Sequence, residues 1–289
     1  MDVVTEAQTV ARVFAALGEN HGGLLVTVNL DHVRRCRADE AYASLVARSE
    51  LVVADGMPLV WASAVRGTRL PERVAGANLV WSLCERAARE GRGVFLLGGD
   101  PGTAEAARAV LESRYPGIRV CGTLSPDRGF ESDRARLDQI EATVAASGAE
   151  VVLVALGSPK QEYLGERLLE ALPRAWFVGC GISFSFMSGA VRRAPGWMQR
   201  AGLEWLHRLA QEPRRLARRY LIDGIPFACV LLCGAAWERV TGRARRLDAS
   251  ASPAPSRVQS ADARSRTQGE RPASWVGPER AAAPVSRPS

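Results

Sequence analysis

The stretch VVLVALGSPKQE, residues 151–162, decides the fold. Residues 151–156 are apolar throughout and valine-rich, the length and character of a strand buried on both faces of a parallel sheet. A glycine turn follows and sets Lys160, Gln161 and Glu162 just beyond the strand's carboxyl end, where open α/β sheets bind their ligands. An ordinary strand-to-helix turn, with Ser158 capping a helix that begins at Pro159, explains the Gly, Ser and Pro but not the polar trio.

Outward from this stretch the same pattern repeats. Strand-like runs occur at 24–29, 50–54, 94–99, 118–122 and 175–179, and most are separated by helical patterns such as AEAARAVLESRY and DRARLDQIEATVAAS. This alternation predicts an α/β fold with a mostly parallel sheet flanked by helices. Past Pro195 the pattern turns wholly helical, so residues 1–194 read as the α/β catalytic domain and 195–247 as a helical, arginine-rich appendage. From about Asp248 to Ser289 the chain is Ala, Ser, Pro and Arg with almost no aliphatic content, a composition that predicts disorder.

The 289 residues are 47% hydrophobic and 24% charged, enough to bury a full α/β core with residues to spare. The net charge is +7, and Lys160 is the only lysine, so nearly all positive charge is guanidinium, the group suited to bidentate phosphate contacts. The cluster is local: Arg208, Arg214, Arg215, Arg218 and Arg219. A solvated basic face is the generic meaning of such a run. Nucleic acid is not expected as a partner, because neither a recognition motif nor a stacking set of aromatics accompanies the charge. The cysteines at 36, 84, 121, 180, 229 and 233 read as buried free thiols. The N-terminus has no export signal, which predicts a cytoplasmic body. The apolar stretch Ile225 to Trp237 is shorter than a bilayer span, and reads either as a core helix or as a helix lying on an anionic membrane.

Candidate chemistry gathers at strand ends. Asp55 follows the strand 50–54 directly and is placed to act as a general base, or else as a turn or capping aspartate. Thr27 and Asn29 alternate on one face at the end of the first strand; Asn29 serves either a ligand or the cap of the helix near Asp31. Arg73 lies in a polar loop before a helix whose N-terminal backbone donors, near Gly76, could meet a phosphate. Gly98 and Gly99 precede a helix with Asp100 at its predicted N-cap and Pro101 at its first position; this turn resembles a nucleotide site without matching GxGxxG. Gly181 belongs to a further glycine turn. There is no Walker lysine, HExxH, GxSxG or DxD pair, which points to a mechanism without metal or cofactor.

Taken in order, TVN, ADGMPLVW, ERVAGANL, FLLGG, GSPKQE, GCGISFSFMSGAVRRAP and GLEWLHRLAQEPRRLARRY resemble the WecG/TagA/CpsF family of bacterial glycosyltransferases over about residues 10 to 235. The resemblance implies a Rossmann-like core and inverting, metal-independent transfer of a sugar from a UDP-sugar to a polyprenyl-diphosphate-linked sugar acceptor. It places the enzyme peripherally on the inner face of the cell membrane, in teichoic acid, capsule or exopolysaccharide synthesis. By this matching Asp55 is the catalytic base. Thr27, Asn29, Arg73, Gly76, Gln161 and Glu162 line the substrate pocket, Gly98, Gly99 and Gly181 the nucleotide. Arg193, Arg208, Arg215, Arg218 and Arg219 meet phosphate. Two departures, Ser185 where many members have Asp and SPDRGFE (125–131) where many have GYF, point away from N-acetylmannosamine as donor and toward a hexose or hexuronic acid. They also motivate the alternative of a non-catalytic nucleotide-sugar or lipid-phosphate binding protein on the same scaffold.

Overall fold

The computed structural model describes residues 1–242; the segment 248–289 and the last residues of the expected appendage lie outside the described residues. The chain opens with α1 (Glu6–Gly18), started by a capping box between Thr5 and Gln8. Then follow β1 (Gly23–Val28), α2 (Leu30–Ala38), α3 (Glu40–Arg48), β2 (Leu51–Ala54), α4 (Met57–Arg66) and α5 (Gly76–Glu90). The second part of the core runs through β3 (Gly93–Gly98), α6 (Thr103–Arg114), β4 (Arg119–Leu124), α7 (Arg134–Ser147), β5 (Val151–Ala155), α8 (Lys160–Ala171) and β6 (Trp176–Gly179). All six strands fall where the apolar runs predict them.

The strands form one all-parallel sheet in the order β2-β1-β6-β5-β3-β4. Successive side chains point to opposite faces, and both faces are covered, which is why the strands lack a polar side. Leu25, Val53, Leu96, Val151, Leu153 and Val178 pack against α1, α5, α6 and the short α9 (Ser183–Met187). Leu24, Val26, Val52, Phe95, Val152 and Phe177 pack against α3, α7 and α8. Because every strand runs the same way, the six carboxyl ends meet along one edge of the sheet.

After β6 the described chain is helical: α10 (Gly196–Arg200), α11 (Glu204–Gln211), α12 (Pro213–Ala217) and α13 (Ile225–Val240). A π-helical stretch, Arg218–Gly224, joins α12 to α13, so Pro213–Val240 is one helix of 28 residues. It is long and apolar enough to cross a membrane by length and composition, whereas the apolar stretch 225–237 read from sequence is too short. The difference arises because the helix extends through the arginines into α12.

Two expectations are corrected. Asp100 does not cap α6: the helix begins at Thr103 after Gly102 in the left-handed region (φ 80°), and Thr103 Oγ1 donates to the Asp100 carbonyl. Only Cys84 and Cys180 are fully buried; Cys36 and Cys121 are half-buried, and Cys229 and Cys233 are exposed on α13.

Candidate active site

A cleft of about 1160 Å³ opens along the carboxyl edge of the sheet. Every strand exit contributes to it, through Thr27 and Asn29, Asp55, Gly99 and Asp100, residues 126–131, residues 155–158 with Lys160 and Gln161, and residues 180–183 with Ser185 and Phe186. The opposite wall carries Arg193 from the segment after α9 and, from the helices, Glu204, Arg208, Arg215, Arg219 and Tyr220, with Phe227, Ala228 and Leu232 from α13.

Asp55 ends β2. Its backbone N–H donates to the Val28 carbonyl at 2.7 Å, which fixes it beside the end of β1. Gly56 and Pro58 start α4 immediately afterwards, so the carboxyl projects from a short, determined turn into the cleft. Burial pushes this carboxyl up to about 7; Arg73, the Gly76 N–H and His32 oppose the shift, and Glu204 adds to it.

Behind the cleft floor, buried polar side chains tie the strand ends together. Asn29 caps α2, its Oδ1 accepting from the N–H groups of Asp31 and His32, and the same oxygen lies 2.9 Å from His32 Nδ1. His32 Nε2 is 3.3 Å from Glu162 Oε1, and Gln161 Nε2 donates to that oxygen at 2.7 Å. The Gly181 N–H donates to Gln161 Oε1 at 3.1 Å. Burial opposes ionisation of Glu162, but the hydrogen bond and charge of His32, with Gln161 and Ser158, outweigh it and hold the carboxyl below its ordinary value. Ser158 does not cap α8; its Oγ is 3.0 Å from the Tyr42 hydroxyl. Thr27 Oγ1 donates to the Gly179 carbonyl at 2.9 Å, clasping β1 to β6. A Cβ on Gly76 would sit 3.2 Å from that hydroxyl, so glycine is what lets the α5 N-terminus approach.

Guanidinium groups and carboxylates interleave on the helical wall. Arg73 Nη1 donates to Glu204 Oε2 at 3.1 Å, and Arg193 Nε lies 3.6 Å from Glu204 Oε1. Glu212 receives Arg215 and lies 3.9 Å from Arg208, and Asp31 sits between Arg34 at 3.0 Å and Arg219 at 3.7 Å. The bond to Arg215 holds Glu212 below, and raises Arg215 above, their ordinary values. At the opposite corner Lys160 pairs with Glu131 over the Phe130 ring; burial opposes it, but Lys160 holds the Glu131 carboxyl low. Arg193 Nε and Nη2 and Arg208 Nε are buried without hydrogen-bond partners, so ion pairing at longer range is what holds these guanidinium groups. Among the described residues no group of three or more His, Cys, Asp or Glu side chains could hold a metal ion.

The predicted site residues thus separate. Thr27, Asn29, Asp55, Arg73, Gly99, Gln161, Gly181, Arg193, Arg208, Arg215 and Arg219 line the cleft. Gly76, Gly98 and Glu162 lie in the layer beneath it, and Arg218 is exposed outside it. Sequence reasoning passed over His32, Glu204 and Glu212. Their signal was present: His32 stands three residues after the capping Asn29, and Glu204, Arg208 and Glu212 recur every four residues, the spacing that stacks them on one helix face.

Fold and cleft together define an α/β protein of the open parallel-sheet class, with its site at the strand carboxyl ends. Within that class the chain belongs to the glycosyl transferase WecG/TagA/CpsF family, whose sequence model matches residues 1–243. Membership makes it a glycosyltransferase and supports a role in cell-surface polysaccharide synthesis, with a nucleotide-sugar donor and a lipid-linked acceptor.

Proposed function

We propose that the protein is an inverting glycosyltransferase that moves a sugar from a UDP-sugar to a polyprenyl-diphosphate-linked sugar, without a metal, at the inner face of the cell membrane. The observation that carries this reading is the Asp55 carboxyl, raised to about 7, facing an arginine-lined wall across the cleft. A base of that pKa is matched to proton abstraction near neutral pH. Asp55 takes the proton of the acceptor hydroxyl as its oxygen attacks the anomeric carbon. The bond from that carbon to the diphosphate breaks on the opposite side, and the electron pair leaves with UDP. A single displacement of this kind inverts the anomeric centre.

The leaving diphosphate gains negative charge in this step. Arg193, Arg208, Arg215 and Arg219 line the cleft and supply fixed positive charge where a divalent ion would otherwise act. In the free protein they rest on Glu204, Glu212 and Asp31, so binding exchanges carboxylate partners for phosphate oxygens. Thr27 and Gln161 shape the pocket through the backbone turns they hold. Residues 126–131 of the SPDRGFE loop and Ser185 line the same cleft and are the places where we assign donor selection, with a hexose or hexuronic acid as the donor class.

Residues 1–194 then form the catalytic body and the following helices the membrane-associating part. A mass-spectrometric screen of UDP-sugars against a short-chain polyprenyl-diphosphate sugar, with EDTA present, tests the reading. One glycosylated product that persists in EDTA supports it. UDP-sugar binding with no product on any acceptor would replace it with a non-catalytic binding protein.

A further inference from the structure

Beside the base and the floor, the cleft holds the Glu204 carboxylate, which engages two cations from different parts of the chain. Glu204 opens α11, directly after a turn in which Gly202 adopts φ 73°. A Cβ at Gly202 would meet Trp61 at 2.9 Å and Met57 at 3.0 Å, so the chain entering α11 lies hard against α4. From that fixed start Glu204 reaches Arg73, which comes from the loop between α4 and α5, and Arg193, from the segment after α9. All three side chains are largely withdrawn from solvent, at 18%, 14% and 22% exposure, where an ion pair is screened less than on an open surface.

We propose, on the footing of the transfer reaction above, that Glu204 is a positioning residue: it holds Arg73 and Arg193 and so keeps the Arg73 charge from settling on Asp55. The geometry sets up a competition. Arg73 is within electrostatic reach of both carboxyls, but its Nη1 hydrogen bond at 3.1 Å goes to Glu204. Were Glu204 neutral, Arg73 would have Asp55 as its remaining carboxylate in the cleft centre, and a carboxylate paired with a guanidinium ionises more readily and is a weaker base. Glu204 also keeps Arg193 at the cleft wall, its Nε 3.6 Å from Glu204 Oε1. The groups that act on Asp55 are Arg73, Glu204 of α11, the Gly76 N–H of α5 and His32 of α2; of these, Glu204 is the anion.

The test uses the full chain with Glu204→Gln, Glu204→Asp and Asp55→Asn. The Asp55 carboxyl is titrated by 13C NMR, its resonance assigned by loss in Asp55→Asn, alongside thermal melting and UDP calorimetry. Glu204→Gln is expected to lower the Asp55 midpoint by about one pH unit, the low end of the shift a nearby charge produces. UDP binding is expected to tighten severalfold, because a competing carboxylate has gone, while kcat drops about tenfold. Glu204→Asp, shorter by one methylene, shifts the midpoint the same way by less, and it decides the matter if Glu204→Gln does not fold. An unmoved midpoint with a lowered melting temperature and weakened UDP binding would mark Glu204 as merely structural and overturn the proposal. A shifted midpoint in a protein that transfers no sugar would leave Glu204's role intact and overturn the transferase reading instead.

Discussion

Asp55 and Gln161 show how differently two residues can serve one cleft. The Asp55 carboxyl is raised to about 7 from an ordinary value near 4, so the folded protein holds this proton more tightly than the unfolded chain. The stability this group contributes is therefore fully present below about pH 4 and is lost as pH rises toward 7, where the ionised carboxylate sits poorly solvated. Asp55→Asn removes that cost, so its gain in melting temperature should grow from about pH 4 to about pH 7 and level off above. Melting curves across that range check it; an Asn variant less stable than the parent at pH 8 (roughly one unit above the Asp55 midpoint) would contradict the assignment. Activity should follow the same group, with kcat/KM rising through an acid limb near 7. Gln161, in contrast, has both amide atoms committed, to Glu162 and to the Gly181 N–H. Gln161→Ala should therefore cost about 1–3 kcal/mol of stability through the groups it leaves unpaired, read as a lowered melting temperature. A residue that only touched substrate would leave melting unchanged.

Among the elements, β5 was readable because a uniformly apolar, valine-rich run has few other places to go than the middle of a parallel sheet. Asp55 was readable for a related reason, since a carboxylate directly after such a strand must emerge at the sheet edge. The turns were less legible. Ser158 reads as a helix cap but bonds Tyr42 from α3, and Asp100 reads as a cap but precedes a left-handed Gly102; distant packing, invisible in a local pattern, decides both. The helix 213–240 was misjudged in length because the polar residues of its first turns hid its continuity with the apolar part. Within it, Ile225, Val230, Trp237 and Val240 are exposed along one face with Cys229 and Cys233, while the other face packs on α4 through Arg66–Glu238 and Arg239. An exposed apolar face of this kind suits contact with lipid. Val230→Ser with Trp237→Ser should reduce co-sedimentation with anionic vesicles at least tenfold, given about 1.5–3 kcal/mol for each buried side chain of this size. Undiminished binding would refute the lipid-facing assignment.

At the scale of the molecule, a parallel sheet gathers six strand exits on one edge, and the C-terminal helices close over that edge with arginines. This division explains what the chain disclosed. The scaffold follows from periodicity, which is local, whereas the charge network at Glu204, Glu212 and Asp31 joins segments more than a hundred residues apart in places, and no local pattern encodes such pairings. It also places α13 at once beside the cleft, through Phe227, Ala228 and Leu232, and at the exposed surface, through Trp237 and Val240. A lipid-linked acceptor entering along that helix would present its sugar to Asp55. On the proposed function, everything turns on Asp55 as the base of a sugar transfer in this cleft. The measurement that tests it most directly compares turnover and UDP affinity in Asp55→Asn and the parent enzyme under identical conditions. Asp55→Asn should lose about 10²–10⁴-fold in turnover with UDP affinity essentially unchanged. Turnover retained within a few fold would contradict it.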